Sequence, residues 1–253
     1  MGRVKVLVPV SGGKDSQACL KLATETYQAS EIRGLFCDTQ FEHPWTYEHV
    51  ERMQDIYGVR IDRVCGGSVL EKSKKYGRFP GGGARHCTDE LKIRETRIYL
   101  KALADEQGGF EVWYGMRSGE SPERRSRYRD KVSDAVYLPH EVLPGKYPKY
   151  LGNLGVMFRL AILDWTTDDV TDFVGWYNLN PLYFFDFDRV GCFPCLASGD
   201  VHKERAFAFG NFGRERYRKV LILSDEIGKS VWTSKGGIAR HAEDNPGCSF
   251  CAI

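Results

Sequence analysis

The chain has 253 residues, and its 36 Lys and Arg against 34 Asp and Glu give a formal net charge of +2 at pH 7. This length can bury the core of one α/β domain with a smaller appended region, so we expect no second independent domain. A near-neutral balance does not by itself indicate a nucleic-acid partner. The sequence has no apolar run long enough to cross a bilayer and no secretory-type start, so we expect a soluble, cytoplasmic protein with no membrane partner.

The first predicted element is a strand that runs directly into a glycine-rich turn. Residues 4–10 form a β-branched run, which is typical of a parallel strand buried on both faces. Two adjacent glycines let the backbone approach an oxyanion, the first N–H groups of the next helix point at it, and a lysine adds charge. We therefore predict a phosphate-binding loop, which is not a Walker loop because its lysine is followed by Asp. Its residues are Ser11, Gly12, Gly13, Lys14, Asp15 and Ser16.

The elements that follow alternate between strands and helices. Strands are predicted over 31–39, 58–65 and 110–116, with a helix over 44–57. This alternation predicts an α/β fold with a doubly wound parallel sheet, which binds ligands at the carboxyl ends of its strands. Asp38 ends the second strand, where an acidic residue meets a ribose or a metal; a solvated turn aspartate is the alternative. Weak periodicity with several Pro and Gly predicts that residues 130–158 are mostly loop.

Basic residues are concentrated in two segments. The first follows the strand over 110–116 and carries, around Glu120, the cations Arg117, Arg124, Arg125, Arg127, Arg129 and Lys131. The second is the Gly-rich loop over 75–87, a substrate lid or an anion nest, with Lys75, Arg78 and Arg85. Arginine forks bind phosphate oxygens, so we expect Arg117 at a bound nucleotide, whereas a solvent-facing helix is the alternative for the later arginines. If the two segments flank one site, they form a basic groove for a DNA or RNA backbone.

Cysteine spacing is the second strong pattern. Two CxxC pairs, Cys192 with Cys195 and Cys248 with Cys251, accompany Cys87 in RHCTDELKI. In a cytosolic chain this predicts metal or cluster ligands rather than disulfides. A structural zinc bound by the two pairs alone is the alternative. The remaining cysteines are predicted to be small buried apolar residues, namely Cys19, Cys37 and Cys65.

Together these motifs resemble the phosphoadenosine phosphosulfate reductase family, and the SGGKDS loop resembles that of the ATP pyrophosphatases. The resemblance covers about residues 4–205 and includes GMRSGES, ILDWTTDDV and NPLYFFDFDRVGCFPC. It implies an adenine nucleotide alpha hydrolase-like fold with phosphates bound by residues 11–16. It also implies nucleotide contacts from Asp38, Arg117, Glu120 and Arg124, and a [4Fe-4S] cluster on Cys192, Cys195 and Cys87.

The chain departs from the family pattern in two places. His86-Cys87-Thr88 stands where iron-sulfur members have a tandem Cys-Cys, so one ligand is missing; Cys248 or Cys251 can replace it, or one iron stays open. The reductases' C-terminal Glu-Cys-Gly-x-His segment is absent, whereas SGGKDS is intact. The resemblance therefore implies sulfur transfer like that of the DNA phosphorothioation sulfur-transfer protein or the tRNA thiolases.

The expected activity is an AMP-forming ATP pyrophosphatase. ATP with Mg²⁺ binds on residues 11–16, a substrate oxygen attacks the α-phosphate, and Lys14, Asp15 and Arg117 assist. Sulfur then displaces AMP, with Cys87, Cys248 or Cys251 as the nucleophile. The expected partners are a cysteine desulfurase or other sulfur donor, and nucleic acid. The alternatives are a phosphoadenylyl- or adenylyl-sulfate reductase and a non-catalytic nucleotide or nucleic-acid binding module with structural Zn²⁺.

The ATP-binding domain is predicted over 1–185 and a cysteine-containing metal or iron-sulfur region over 186–253.

Overall fold

The computed structural model describes residues 2–81 and 85–233. Its centre is a six-stranded sheet in the order β3-β2-β1-β4-β6-β5. The strands are β1 (Val6–Val10), β2 (Ile32–Asp38), β3 (Ile61–Cys65), β4 (Glu111–Trp113), β5 (Val136–Tyr137) and β6 (Met157–Arg159). Neighbouring strands are parallel except β5, which runs antiparallel to β6 at the edge. The predicted parallel sheet is confirmed, and each of the four predicted strands is present with shorter bounds.

Helices connect these strands and extend beyond the sheet. The α-helices of the described residues are α1 (Lys14–Thr26), α2 (Pro44–Tyr57), α3 (Val69–Tyr76), α4 (His86–Thr88), α5 (Arg94–Gln107), α6 (Pro122–Arg127), α7 (Pro139–Val142), α8 (Tyr150–Asn153), α9 (Thr167–Val174), α10 (Asp200–Ala208) and α11 (Gly210–Ile227). A π-helical turn, Asp89–Ile93, joins α4 to α5. Among the described residues, no helix combines the length and the apolar character needed to cross a bilayer.

The sheet has an apolar core on each face. Along β1, Val6, Val8 and Val10 pack on one side with residues of α1, α2 and α9, while Leu7 packs on the other side with residues of α5. This alternation follows from the two-residue period of a strand, and it leaves β1 buried on both faces. The doubly wound arrangement predicted from the sequence is therefore confirmed.

The prediction that residues 130–158 are mostly loop is confirmed, although the segment also contains short elements. These are β5, α7, α8 and the start of β6. Phe158 of β6 is fully buried and lies opposite Val112 of β4. A strand of three residues is too short to show a period of its own, so its conformation depends on pairing with β4.

The C-terminal helices pack against α3 and the segment that follows β2. Phe207 of α10 and Val220 of α11 share a core with Val69 of α3 and with Phe41, which follows β2. Residues before and after position 185 therefore contribute to one core. The division into regions 1–185 and 186–253 stays a prediction.

Candidate active site

The SGGKDS segment forms a tight loop between β1 and α1. Gly12 has φ +75°, and a Cβ there would lie 2.6 Å from Thr46 Cγ2, so only glycine fits. The Ser16 hydroxyl accepts a hydrogen bond from the Ser11 N–H at 3.1 Å and donates one to the Gly13 carbonyl at 2.9 Å. These bonds hold the loop closed beside the first turn of α1, whose N–H groups lack partners within the helix. The loop therefore has the form of an anion-binding helix start.

A cavity of about 330 Å³ opens beside this loop. Its wall combines the loop after β1, the segment after β4 and the segment before α10. The predicted residues that line it are Ser11, Gly13, Lys14, Asp15, Ser16, Arg117, Glu120, Arg124, Cys192 and Cys195. Gly12, Asp38 and Cys87 do not line it. The phosphate-type loop and one CxxC pair thus face a single space.

Two of the cavity arginines are paired with carboxylates. Arg117 is 5 % exposed, and its Nε donates to Asp15 Oδ1 at 2.6 Å. Arg124, predicted to contact nucleotide or nucleic acid, is 2 % exposed and forms an ion pair with Glu120. Lys14 Nζ lies 3.8 Å from Asp15 Oδ2. The ion pairs hold both guanidinium groups in the wall and offset much of their charge, so Arg124 is not part of an exposed basic groove.

Gly115 allows the loop and the segment after β4 to meet. A Cβ on Gly115 would lie 2.7 Å from the backbone carbonyl carbon of Asp15 and 2.8 Å from the nitrogen of Ser16. Such distances are shorter than real Cβ contacts. The absence of a side chain at position 115 therefore positions Arg117 against Asp15.

Asp38 is already paired away from the cavity. Its carboxylate accepts from Arg63 at 2.6 Å, from the Tyr47 hydroxyl at 2.7 Å and from the Gln40 N–H at 2.8 Å. Burial alone would raise the pKa of Asp38, but these hydrogen bonds outweigh burial and hold the pKa below its usual value. The structure therefore does not bring Asp38 together with the other predicted nucleotide-binding residues.

Cys192 lies between the cavity and the end of β2. Residues Glu42 and Cys192 form an isolated antiparallel bridge, and Cys192 Sγ lies 3.3 Å from Thr39 Oγ1. Burial raises the pKa of the Cys192 thiol. Burial also raises the pKa of Glu42, whose carboxylate accepts from the Thr39 hydroxyl at 2.6 Å. Thr39 and Glu42, which follow β2, thus contact Cys192.

The predicted metal ligands are only partly brought together. Cys87 lies in α4 and packs with Cys192 against the core that includes Phe41. Across residues 2–81 and 85–233, no group of three or more His, Cys, Asp or Glu side chains is arranged to hold a metal ion. Cys248 and Cys251 lie outside the described residues. The described donor set therefore does not complete a cluster or zinc site, and both stay predictions.

The other three cysteines differ in solvent exposure. Cys19 and Cys37 are buried as predicted, and burial raises the pKa of both thiols, that of Cys37 to about 11. The prediction for Cys65 was wrong, because this residue is exposed. Cys65 is the last residue of β3, which is an edge strand of the sheet, and its side chain is exposed there.

Several cavity residues were not singled out from the sequence. Tyr183 accepts a hydrogen bond from the Lys14 N–H at 3.1 Å, and Arg189 lines the wall three positions before Cys192. Both belong to NPLYFFDFDRVGCFPC, but that motif alone does not indicate which side chain faces the site. Lys92, of the π-helical turn, lines the cavity as well.

Residues 5–198 match the model of the phosphoadenosine phosphosulfate reductase domain, a span that includes the loop, both paired arginines and the first CxxC. The chain belongs to this family. An adenosine 5'-phosphosulfate reductase of Anoxybacillus flavithermus is 27% identical over 197 residues, which cover 76% of this chain and 73% of that enzyme. An uncharacterized protein of Methanocaldococcus jannaschii is 29% identical over 245 residues, or 91% of this chain. The match spans 46% of the M. jannaschii protein, so the chain corresponds to less than half of that relative's length.

Two solved structures illustrate the range of similar folds. A phosphoadenylyl-sulfate reductase from Candida auris, in a phosphate complex, has a TM-score of 0.46 and 15% identity, covering 74% of this chain and 81% of that one. A U34-tRNA thiolase from Methanococcus maripaludis with its [4Fe-4S] cluster has a TM-score of 0.39 and 14% identity, covering 100% of this chain and 82% of that one.

Proposed function

We propose that this phosphoadenosine phosphosulfate reductase-family protein is an AMP-forming ATP pyrophosphatase that adenylates an acceptor oxygen for sulfur transfer, with nucleic acid as the acceptor. The observation that supports the proposal is the single cavity lined by both the SGGKDS loop and the Cys192-Cys195 pair. Adenylation of the acceptor oxygen and attack of sulfur on the atom that bears this oxygen must occur in succession at one position of the acceptor. A shared cavity allows both without release of the activated intermediate.

In this proposal MgATP is a substrate whose terminal phosphates lie on the loop. The N–H groups of the first turn of α1, the Ser11 and Ser16 hydroxyls and Lys14 surround that position. An acceptor oxygen attacks the α-phosphorus, and the bond to the bridging oxygen breaks. Pyrophosphate leaves with the electron pair, and the positive loop stabilises the charge that gathers on it. Arg117, oriented by Asp15, lies beside the same loop.

The sulfur step uses cysteine thiols. A donor such as a cysteine desulfurase leaves a persulfide on a cysteine of the chain. The terminal sulfur of this persulfide attacks the carbon or phosphorus that bears the adenylated oxygen, and AMP departs with that oxygen and the electron pair of the broken bond. A second thiol then attacks the inner sulfur of the resulting disulfide, so the transferred sulfur stays on the acceptor. The two cysteines end as a disulfide, which a thiol reductant returns to the starting state. Cys192 and Cys195 both line the cavity beside the loop.

Product analysis tests the first step. Incubation with MgATP, with and without DNA or tRNA, should release AMP and pyrophosphate. Lys14→Ala should abolish this release because the loop loses its point charge, whereas Lys149→Ala, on an exposed residue next to α8, should not. Release of ADP and phosphate instead would show that the loop has been misinterpreted.

The second step is tested by sulfur incorporation. The protein is supplied with ATP, a desulfurase, cysteine and either DNA or tRNA, and the digested polymer is examined by mass spectrometry. Sulfur in the backbone indicates phosphorothioation and sulfur on a base indicates thiolation. Cys192→Ser or Cys195→Ser should remove the sulfur while AMP formation continues. Iron, sulfide and zinc analysis of anaerobically purified protein decides whether these cysteines also hold a cluster or Zn²⁺.

Reduction of a sulfonucleotide is the second candidate. The similarity to the adenosine 5'-phosphosulfate reductase of A. flavithermus favours it. In this reaction a cysteine thiolate attacks the sulfonucleotide sulfur, and a thiol donor releases sulfite. Sulfite formation from adenylyl sulfate and a thiol, with no ATP-dependent sulfur on nucleic acid, would select this function.

A further inference from the structure

Arg189 differs from the other cavity arginines in its hydrogen bonding. Its Nη1 atom is buried and has no hydrogen-bond partner among the described residues, although the side chain lines the cavity. A buried charged donor without an acceptor is unfavourable, and native structures satisfy such donors with a ligand or water. The guanidinium group of Arg189 therefore suits an oxyanion that enters the cavity.

Neighbouring carboxylates do not replace that oxyanion. Arg117 and Arg124 are each paired with a carboxylate, from Asp15 and Glu120 respectively. Beside Arg189, the carboxylate of Asp188 lies 3.5 Å from His202 Nδ1, and its pKa is lowered chiefly by the hydrogen bond with His202 and only to a smaller extent by Arg189. The charge of Arg189 is thus less compensated than that of the two arginines predicted from the sequence.

Arg189 lies between the SGGKDS loop and the Cys192-Cys195 pair, which both line the cavity. The next residue, Val190, packs on the loop, because a Cβ on Gly13 would lie 3.7 Å from Val190 Cγ2. The Val190 carbonyl accepts from Thr46 Oγ1 at 2.8 Å, which fixes the segment against α2. Cys192 follows two residues later. Arg189 is therefore held where an acceptor must lie to meet first the nucleotide and then the sulfur.

We propose that Arg189 forms a second oxyanion site, distinct from the SGGKDS loop, which binds a phosphodiester of the acceptor next to the atom that is adenylated. The inference rests on the proposed function and specifies its acceptor site. The pyrophosphate of ATP has its own donors on the loop, so a second anion requires a second cation. The planar guanidinium fork matches two phosphate oxygens at once, which a backbone phosphodiester supplies.

The test measures oligonucleotide affinity beside ATP affinity. Fluorescein-labelled eight-nucleotide DNA and RNA are titrated against wild type and Arg189→Met by anisotropy at several salt concentrations, and KM for ATP is measured in parallel. We expect Arg189→Met to raise the oligonucleotide Kd about tenfold, as for loss of one charge-assisted contact, and to reduce the log-log salt slope by about 0.7. The change in KM for ATP should be much smaller. Arg189→Lys should restore part of the affinity.

Arg205→Met is the matched control, because Arg205 is half-exposed and contacts Asp186 outside the cavity wall. It should leave the oligonucleotide Kd and the salt slope unchanged. An equal rise in KM for ATP and in oligonucleotide Kd would assign Arg189 to the nucleotide site and overturn the proposal. So would ATP turnover by a wild-type protein that binds neither oligonucleotide. Arg189-dependent oligonucleotide binding without ATP turnover would instead support the anion site and overturn the proposed function. Preference for DNA or RNA identifies the acceptor.

Discussion

At the scale of single residues, the site depends on close approaches that exclude side chains. Gly115 allows the segment after β4 to touch the backbone of Asp15, and Arg117, two residues later, forms an ion pair with Asp15. The site therefore requires a glycine that binds nothing itself. Its role is to bring two charged segments within hydrogen-bonding distance.

Gly115→Ala tests this close approach. The added methyl must displace the backbone at Asp15, and overpacking of this kind costs about 1–3 kcal/mol of unfolding free energy. We expect a lower Tm and a large loss of AMP formation. Gly119→Ala is the control, since nothing lies within 4 Å of a Cβ at that exposed position, and its Tm should be close to that of wild type. Equal Tm values for the two variants would contradict the structural role of Gly115.

Two buried histidines predict how stability changes with pH. Burial lowers the pKa of both His43 and His49 from 6.5 to about 4, with smaller contributions from Arg216 and Arg52 respectively. His43 Nδ1 also accepts the Trp45 N–H at the start of α2, which requires the neutral ring. The folded state thus binds fewer protons than the unfolded state between these pH values. Stability is complete above pH 6.5 and falls as the pH is lowered toward 4.

Urea unfolding at pH 7, 6 and 5 measures this effect. Each histidine contributes a slope of up to about 1.4 kcal/mol per pH unit. His43→Asn keeps an N-cap acceptor and His49→Gln keeps a polar side chain, yet neither replacement titrates in this range. The double variant should therefore lose less stability than wild type between pH 7 and 5. An equal loss of unfolding free energy in wild type and in the double variant between pH 7 and 5 would show that other groups cause the pH dependence.

At the scale of elements, a buried ion pair connects α10 to the end of the described chain. Lys203 Nζ lies 2.6 Å from Asp200 Oδ1, and both side chains are fully buried. Lys203 also donates to the Val231 carbonyl at 2.7 Å, and the Thr233 N–H donates to Asp200 at 3.0 Å. The pair thus holds residues 231–233 against the helix that follows the first CxxC.

Lys203→Met should be strongly destabilising, because it leaves the Asp200 carboxylate buried without its cation. We expect a loss of about 3–5 kcal/mol in unfolding free energy, measured by urea denaturation. Lys219→Met removes a lysine from an exposed pair with Glu215 on α11 and should change little. The double variant Asp200→Leu/Lys203→Met should regain part of the loss. Similar stabilities of the two single variants would refute this account of the buried pair.

At the scale of the whole molecule, the basic surface near the cavity is smaller than the sequence predicts. Arg124 is buried in the wall, whereas Arg125 and Arg129 are exposed. The carboxylate of Glu123 accepts hydrogen bonds from the Glu123 N–H and from Ser121, and these bonds lower its pKa. The positive charges of Arg85 and Arg127 lower this pKa further. Arg85 therefore lies near α6, as expected if the two basic segments flank one site.

The proposed nucleic-acid acceptor predicts salt-sensitive binding to this surface. For a single strand the log-log slope of affinity against salt should be about −0.7 per phosphate contact. Arg125→Glu/Arg129→Glu should weaken binding and flatten the slope. Lys101→Glu/Lys149→Glu makes the same change in net charge at other exposed lysines and should have a smaller effect. Equal losses in the two double variants would mean that net charge alone, and not this surface, attracts the polymer.

The sequence by itself determined the phosphate-type loop, the four parallel strands and the family. Each of these depends on local information: glycine conformation, side-chain period and the spacing of charged or sulfur-bearing residues over a few positions. The same information was sufficient for the start of α2, where His43 and Pro44 begin the helix at the predicted residue.

Only the tertiary structure decided which of the polar residues share a site. Asp38 pairs with Arg63 of the neighbouring strand, and Arg124 pairs with Glu120 one helical turn away. The short strand β6 depends on pairing with β4 and β5. Arg189 gives no local signal, because its role arises where its segment packs on the loop. Ion pairing, burial and strand pairing depend on distances between segments far apart in the chain, and folding sets those distances.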